Sequence, residues 1–238
     1  MAGLSIPGLS IQGDFSLSNF AVASIPSNLY GLLPQLYWFN GLACAPTSIT
    51  NGLVGLAAYY DTPTLLADGA NRHAQLLQTR LNVAEAIGTT DDDGTSPSNY
   101  TPGLNAYLTN LGLNQEYAVA YYGLTGEEVA GSNAGQMMSE LISAFARGIV
   151  VFTDVYNSGG GHALLGTSLE LNDFNANGII EEGEAYATII DPLNPASAYA
   201  PNAIDAKPTG GTSDSPEPAS FVETWNNTIQ AAPDASPN

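Results

Sequence analysis

Three side chains have the types and settings for acyl-transfer chemistry: the only cysteine, Cys44, one of two histidines, His162, and Asp191. Cys44 follows the turn Gly41-Leu42-Ala43 and opens a stretch to Tyr60 in which Ile49, Leu53, Leu56 and Tyr60 recur at helical spacing. Pro46 is tolerated in the first turn of such a helix. A lone cysteine is usually a small buried hydrophobe, and a thiol with pKa about 8.5 is only slightly ionised at neutral pH. A helix N-terminus and a neighbouring imidazolium favour the thiolate. The thiolate can attack a carbonyl while backbone N–H groups hold the oxyanion.

His162 follows Ser158 and three glycines and opens a β-rich run. Glycines let another segment approach the ring closely. The functional reading is a general base for Cys44, and the bland one is a strand-end histidine beside a flexible turn. The other histidine, His73, reads as mid-helix and solvated. Asp191 ends the run Ile189-Ile190-Asp191 before Pro192. Neighbouring antiparallel strands would bring positions 162 and 191 to one sheet end, where the carboxylate accepts the second imidazole N–H and fixes the tautomer. Otherwise it is a turn-starting aspartate before proline.

A second constellation is local. Asp173-Phe174-Asn175-Ala176-Asn177-Gly178-Ile179-Ile180-Glu181-Glu182-Gly183-Glu184 fits the twelve-residue calcium-loop pattern at each constrained position. Oxygen ligands would come from Asp173, Asn175, Asn177, the Ile179 carbonyl, Glu181 (directly or through water) and a bidentate Glu184, with Gly178 at the sharp turn. Asparagines in place of carboxylates imply modest affinity for Ca²⁺, on the order of 10⁻⁴–10⁻³ M or somewhat tighter. The alternative is a polar hairpin loop. The flanks read as strands, so an EF-hand domain is not implied. Asp91-Asp92-Asp93-Gly94 reads as a solvated loop rather than a second cation site.

These residues need a scaffold. Residues 1–30 read as an extended arm or edge strand. Helices follow at 44–60, at 65–87 with an early break at Gly69, around Leu104–Leu111 with Gly112 closing it, and around Met138–Phe145 with a stop at Gly148. Residues 117–122 are β-prone, and 148–156, 163–171 and 185–190 are β-rich. Helices first and strands later indicate an α+β fold. After Asn194 the chain is rich in Pro, Ser and Asp, with one apolar patch at Phe221–Trp225 and a frayed end.

The chain has 238 residues, 23 Asp+Glu against 4 Lys+Arg, and a net charge of −19. Four cations build no basic patch, which excludes nucleic acid and anionic membrane surfaces as partners. No apolar run approaches the roughly 18 residues of a spanning helix, so membrane insertion is not expected. One cysteine excludes an internal disulfide. Such acidity suits high salt or a cation-rich medium outside the cell, an extracellular or cell-surface setting, although Met1–Ser10 has no signal-peptide character.

Tyr37-Trp38-Phe39-Asn40-Gly41-Leu42-Ala43-Cys44-Ala45-Pro46-Thr47-Ser48, followed by Tyr59-Tyr60-Asp61, resembles the nucleophile segment of bacterial papain-like cysteine peptidases of the C39-like group. Ala146-Arg147-Gly148 with the strand after it, Gly160-Gly161-His162-Ala163 and Ile190-Asp191-Pro192 resemble later motifs of that group, in the same order. The resemblance covers about residues 35–195. It implies a papain-like fold, with Cys44 at a helix N-terminus packed on a C-terminal antiparallel sheet. It also implies a peptidase domain at 35–195 with the calcium loop 173–184 inserted, an N-terminal arm at 1–34 and a C-terminal extension at 196–238 packing on the sheet.

Carried over by residue, Cys44 is the nucleophile, His162 the base and Asp191 the orienting acid, acting on a peptide or protein substrate. The group's oxyanion-hole glutamine has two candidates here, Gln35 and Asn40. Many relatives carry glycine where this chain has Ala43. Two other readings use the same residues: a non-catalytic calcium-stabilised binding module, and a transglutaminase- or amidase-type acyl transferase.

Overall fold

The computed structural model describes residues 10–12, 20–22, 25–35, 38–125, 142, 144–155, 161–177, 179–181, 185–193 and 223–231. Of the residues named above, Met1, Tyr37, Met138, Ser158, Gly160, Gly178, Glu182, Gly183, Glu184, Asn194 and Phe221 lie outside these, as does most of 196–238; the side chains of Trp38, Asn40, Ile179, Ile180, Glu181 and Trp225 do too.

The molecule is α+β. Its helices are α1 (Cys44–Tyr59), α2 (Arg72–Ala86) and α3 (Tyr100–Asn110). The N-terminal arm supplies two short strands, β1 (Ser10–Gln12) and β2 (Phe20–Val22). The others are β3 (Tyr117–Thr125), β4 (Gly148–Val155), β5 (Gly161–Leu171), β6 (Ile179–Glu181), β7 (Ala185–Ile190) and β8 (Glu223–Ala231). The main sheet is antiparallel in order β2-β5-β4-β8-β3, with β7 also paired to β5. Along β5, β4 pairs with 161–166 and β7 with 165–171. Their overlap puts β4 and β7 on opposite edges, and β2 continues the β4 edge at 169–171.

β1 pairs with β6, so the arm reaches into the predicted calcium loop. β8 lies between β3 and β4, so the C-terminal extension contributes a strand within the sheet rather than a layer on it.

Helix α1 is the centre of the core. Every residue from Ala45 to Ala57 is buried, as in a helix surrounded by protein on all sides. Small residues make this possible: a Cβ on Gly52 would collide with Ile149 and sit 3.1 Å from Leu165 Cδ1, so the α1 backbone runs close over β4 and β5.

Helix α2 begins at Arg72, later than the apolar spacing suggests. Asn71 caps it, Oδ1 accepting the Ala74 N–H at 3.0 Å, and the preceding loop is held by the Ala67 N–H to Thr79 Oγ1 at 2.9 Å. His73 therefore stands in the first turn, exposed, rather than mid-helix. Gly112, at φ 73°, closes α3 as expected. Ile142 and residues 144–147 are helical and lead directly into β4. Among the described residues no helix is long and apolar enough to cross a membrane.

Candidate active site

Cys44 is the first residue of α1 and half-buried. The 3₁₀ turn Trp38–Gly41 delivers it, with left-handed backbone at Phe39 (φ 51°) and Gly41 (φ 85°). Glycine accepts that conformation freely, whereas Phe39 stores strain just ahead of the thiol. The helix N-cap, Ala43, offers no side-chain cap, and the Thr47 N–H bonds the Ala43 carbonyl at 3.1 Å. Helix geometry leaves the N–H groups of Cys44 and Ala45 without an acceptor inside the helix, and Pro46 has none to place.

β5 brings His162 to this helix end. Continuing the Leu165↔Ile190 register by one step sets Asp191 opposite Leu164, so His162 is its diagonal neighbour on the same sheet face. His162 Nε2 and Asp191 Oδ1 are 2.9 Å apart, with side-chain exposures of 18 % and 33 %. The Leu193 N–H also donates to Asp191 Oδ1, at 2.8 Å, which orients the carboxylate. The Cys44 side chain acts on the same imidazole and favours its charged form. Since Asp191 occupies Nε2, Nδ1 is the nitrogen left for the sulfur. Asp154 stands opposite His162 in the β4–β5 register.

Burial works to lower the His162 pKa, but the hydrogen bonds to Asp191 and Cys44 and their charges outweigh it, and the value is raised to about 9. Burial works to raise Asp191, yet the His162 bond, the Leu193 N–H and the imidazolium charge hold it below the ordinary carboxylate value. The two shifts describe one imidazolium–carboxylate pair.

Gln35 lies between the two turns that present Cys44 and Asp191. Its backbone N–H donates to the Pro192 carbonyl at 2.6 Å, and its Nε2 donates to the Gly41 carbonyl. Its Oε1 is buried without a hydrogen-bond partner. The reversed amide would set two oxygens against each other, so Nε2 is the atom facing Gly41. Asn40 is in the 3₁₀ turn.

Three polar residues absent from the candidate set hold this arrangement. Asn51 grips Leu33 twice, accepting its N–H at 2.8 Å and donating to its carbonyl at 3.0 Å. Buried Arg80 donates from Nη1 to the Pro34 carbonyl at 3.2 Å. Together they fix the segment that carries Gln35. Ser48 Oγ donates to the Ala163 carbonyl at 2.9 Å. The sequence signal was available for two of them: a polar side chain in an otherwise apolar buried helix requires a partner.

In the calcium-loop segment, Asp173 Oδ1 and Asn175 Oδ1 both accept the Asn177 N–H, at 3.1 and 3.0 Å, so two predicted ligand oxygens converge. Ala176 has φ 55°, a tight loop carried by a non-glycine residue. Neutral and anionic oxygens converging on a tight loop fit a hard cation. Among the described residues no group of three or more His, Cys, Asp or Glu is gathered for a metal. Asp91–Asp93 lie in an exposed turn that the Thr90↔Gly94 bridge closes.

Compared with protein-family models, curated proteins and solved structures, the chain matches none.

Proposed function

We propose that the protein is a papain-like cysteine peptidase of the C39-like kind, hydrolysing peptide bonds through Cys44, His162 and Asp191. The observation that carries this reading is the 2.9 Å bond between His162 and Asp191 on the one imidazole whose charge the Cys44 side chain also favours. The reactive form is a thiolate beside an imidazolium. Cys44 Sγ forms a bond to the substrate carbonyl carbon, and the carbonyl electrons move to its oxygen. That oxyanion is received by the Cys44 backbone N–H and the Gln35 amide. As the oxyanion collapses, the C–N bond breaks and His162 protonates the leaving amine, giving a thioester. Water, deprotonated by His162, then displaces the sulfur and releases the acid product. Asp191 holds the ring in one tautomer and stabilises its cation throughout.

The loop reading belongs to the same proposal. Asp173, Asn175, Asn177, the Ile179 carbonyl, Glu181 and Glu184 would hold Ca²⁺, which neutralises their charge and stiffens the connection between β5 and β7. An extracellular or cell-surface setting supplies that ion.

Cys44→Ala tests the reaction. Hydrolysis of a casein or peptide-library substrate is expected to fall by about 10³-fold or more, with labelling by a thiol-directed acyl probe abolished. Undiminished hydrolysis by the variant would discard the mechanism.

A further inference from the structure

We propose that Ser48 is a positioning residue that sets the spacing between Cys44 and His162. This rests on the peptidase reading of the same site and adds a residue to it. Ser48 lies four residues after Cys44 on α1, on the same helix face and about 6 Å along the axis. It is fully buried, and its hydroxyl donates to the Ala163 carbonyl at 2.9 Å. Ala163 is the residue after His162. The bond therefore joins the helix turn that carries the sulfur to the strand position that carries the imidazole.

The architecture explains why a hydroxyl is used there. Pairing of β7 with β5 starts at Leu165, and the chain leaves β7 at Ile190 to present Asp191. Ala163 lies beyond the end of that ladder. Ala163 pairs with Thr153 of β4 on the other edge, and the Ser48 hydroxyl adds a donor from the helix to its carbonyl. One turn further along, Gly52 packs its backbone against Ile149 and Leu165. Helix α1 thus meets β5 at Ser48 and Gly52 on one face. The Ser48 bond is directional and the Gly52 contact is not, so the hydroxyl limits how far α1 slides along β5. A slide of about 1 Å is enough to break a thiol–imidazole hydrogen bond.

The test compares wild type, Ser48→Ala, Ser48→Thr, His162→Ala and Thr50→Val. Thr50 is the control, since its buried hydroxyl has no hydrogen-bond partner and its removal leaves the helix–strand contact intact. The readout is the rate of Cys44 alkylation by iodoacetamide from pH 4 to 10, with a thermal melt of each variant. Wild type and Thr50→Val are expected to share one alkylation profile, in which His162 beside the sulfur governs the rate. Ser48→Ala is expected to stay folded, lose at least about tenfold in rate and approach the profile of a His162→Ala variant. Ser48→Thr, which keeps the donor, is expected to restore the wild-type profile.

A wild-type profile in Ser48→Ala overturns the proposal. So does a Ser48→Thr profile as shifted as that of Ser48→Ala, or a Ser48→Ala chain that does not fold, since the hydroxyl is then needed for folding rather than for placement. If wild type and His162→Ala share one profile, the peptidase reading fails first, and with it the spacing this bond was inferred to set.

Discussion

His162 is pulled in two directions, and the balance has a consequence for stability. Burial disfavours its cation, whereas Asp191 and Cys44 favour it strongly enough to raise the pKa from 6.5 to about 9. Its contribution to folding is fully present below the unfolded value of 6.5 and is lost as pH rises through about 9. Asp191 behaves oppositely: depressed below 3.8, it contributes above that value and loses its contribution as pH falls through its folded value. The pair is therefore intact from about pH 4 to about pH 9. Melting temperatures of wild type are expected to fall more steeply between pH 7 and 10 than those of Asp191→Asn. Other groups titrate alike in the two proteins, so the difference in slope isolates the pair. Parallel curves would show that the imidazolium adds no stability.

At the scale of elements, the arm and the loop are one unit. β1 pairs with β6 inside the loop, with Ser10 opposite Glu181, and β2 pairs with the last residues of β5 just before the loop begins. An ion that orders the loop therefore also orders the edges on which the arm lies. Ligand held at a hundred times its Kd stabilises by about 2.7 kcal/mol. Chelation is expected to lower the melting temperature and to accelerate protease cleavage in the first twenty residues, and Asp173→Ala is expected to do both without chelator. A melt and an arm-cleavage rate unaffected by either treatment would remove the metal from this account.

Over the whole molecule, the net charge of −19 makes the compact state repel itself. Salt shortens the Debye length from about 30 Å at 0.01 M to about 8 Å at 0.15 M and weakens that repulsion. The melting temperature in NaCl at constant Ca²⁺ is expected to rise by several degrees across that range. A flat or falling curve would mean that specific attractive pairs outweigh the general repulsion. The sheet also ties the C-terminal part to the core, since β8 pairs with β3 from Glu223 to Ala231 and with β4 over most of that length.

Much of this was legible in the chain itself. Helical spacing marked α1 and α3, apolar β-rich runs marked β4, β5 and β7, and the one cysteine and the glycine-flanked histidine marked the candidate site, because each signal is confined to neighbouring residues. β8 gave no such signal: Glu223–Ala231 mixes Trp225 and Ile229 with two asparagines, and it is a strand because β3 and β4 leave a place between them. Ser48, a polar residue in an apolar helix, signalled that it needs a partner but not which one, because its acceptor is 115 residues away. Residue types and short-range periodicity decided which groups could react and which segments could be helices or strands. Only the folded chain decided which segment fills the middle of the sheet and which buried hydroxyl meets which carbonyl, since pairing across long separations depends on the space that the other elements leave open.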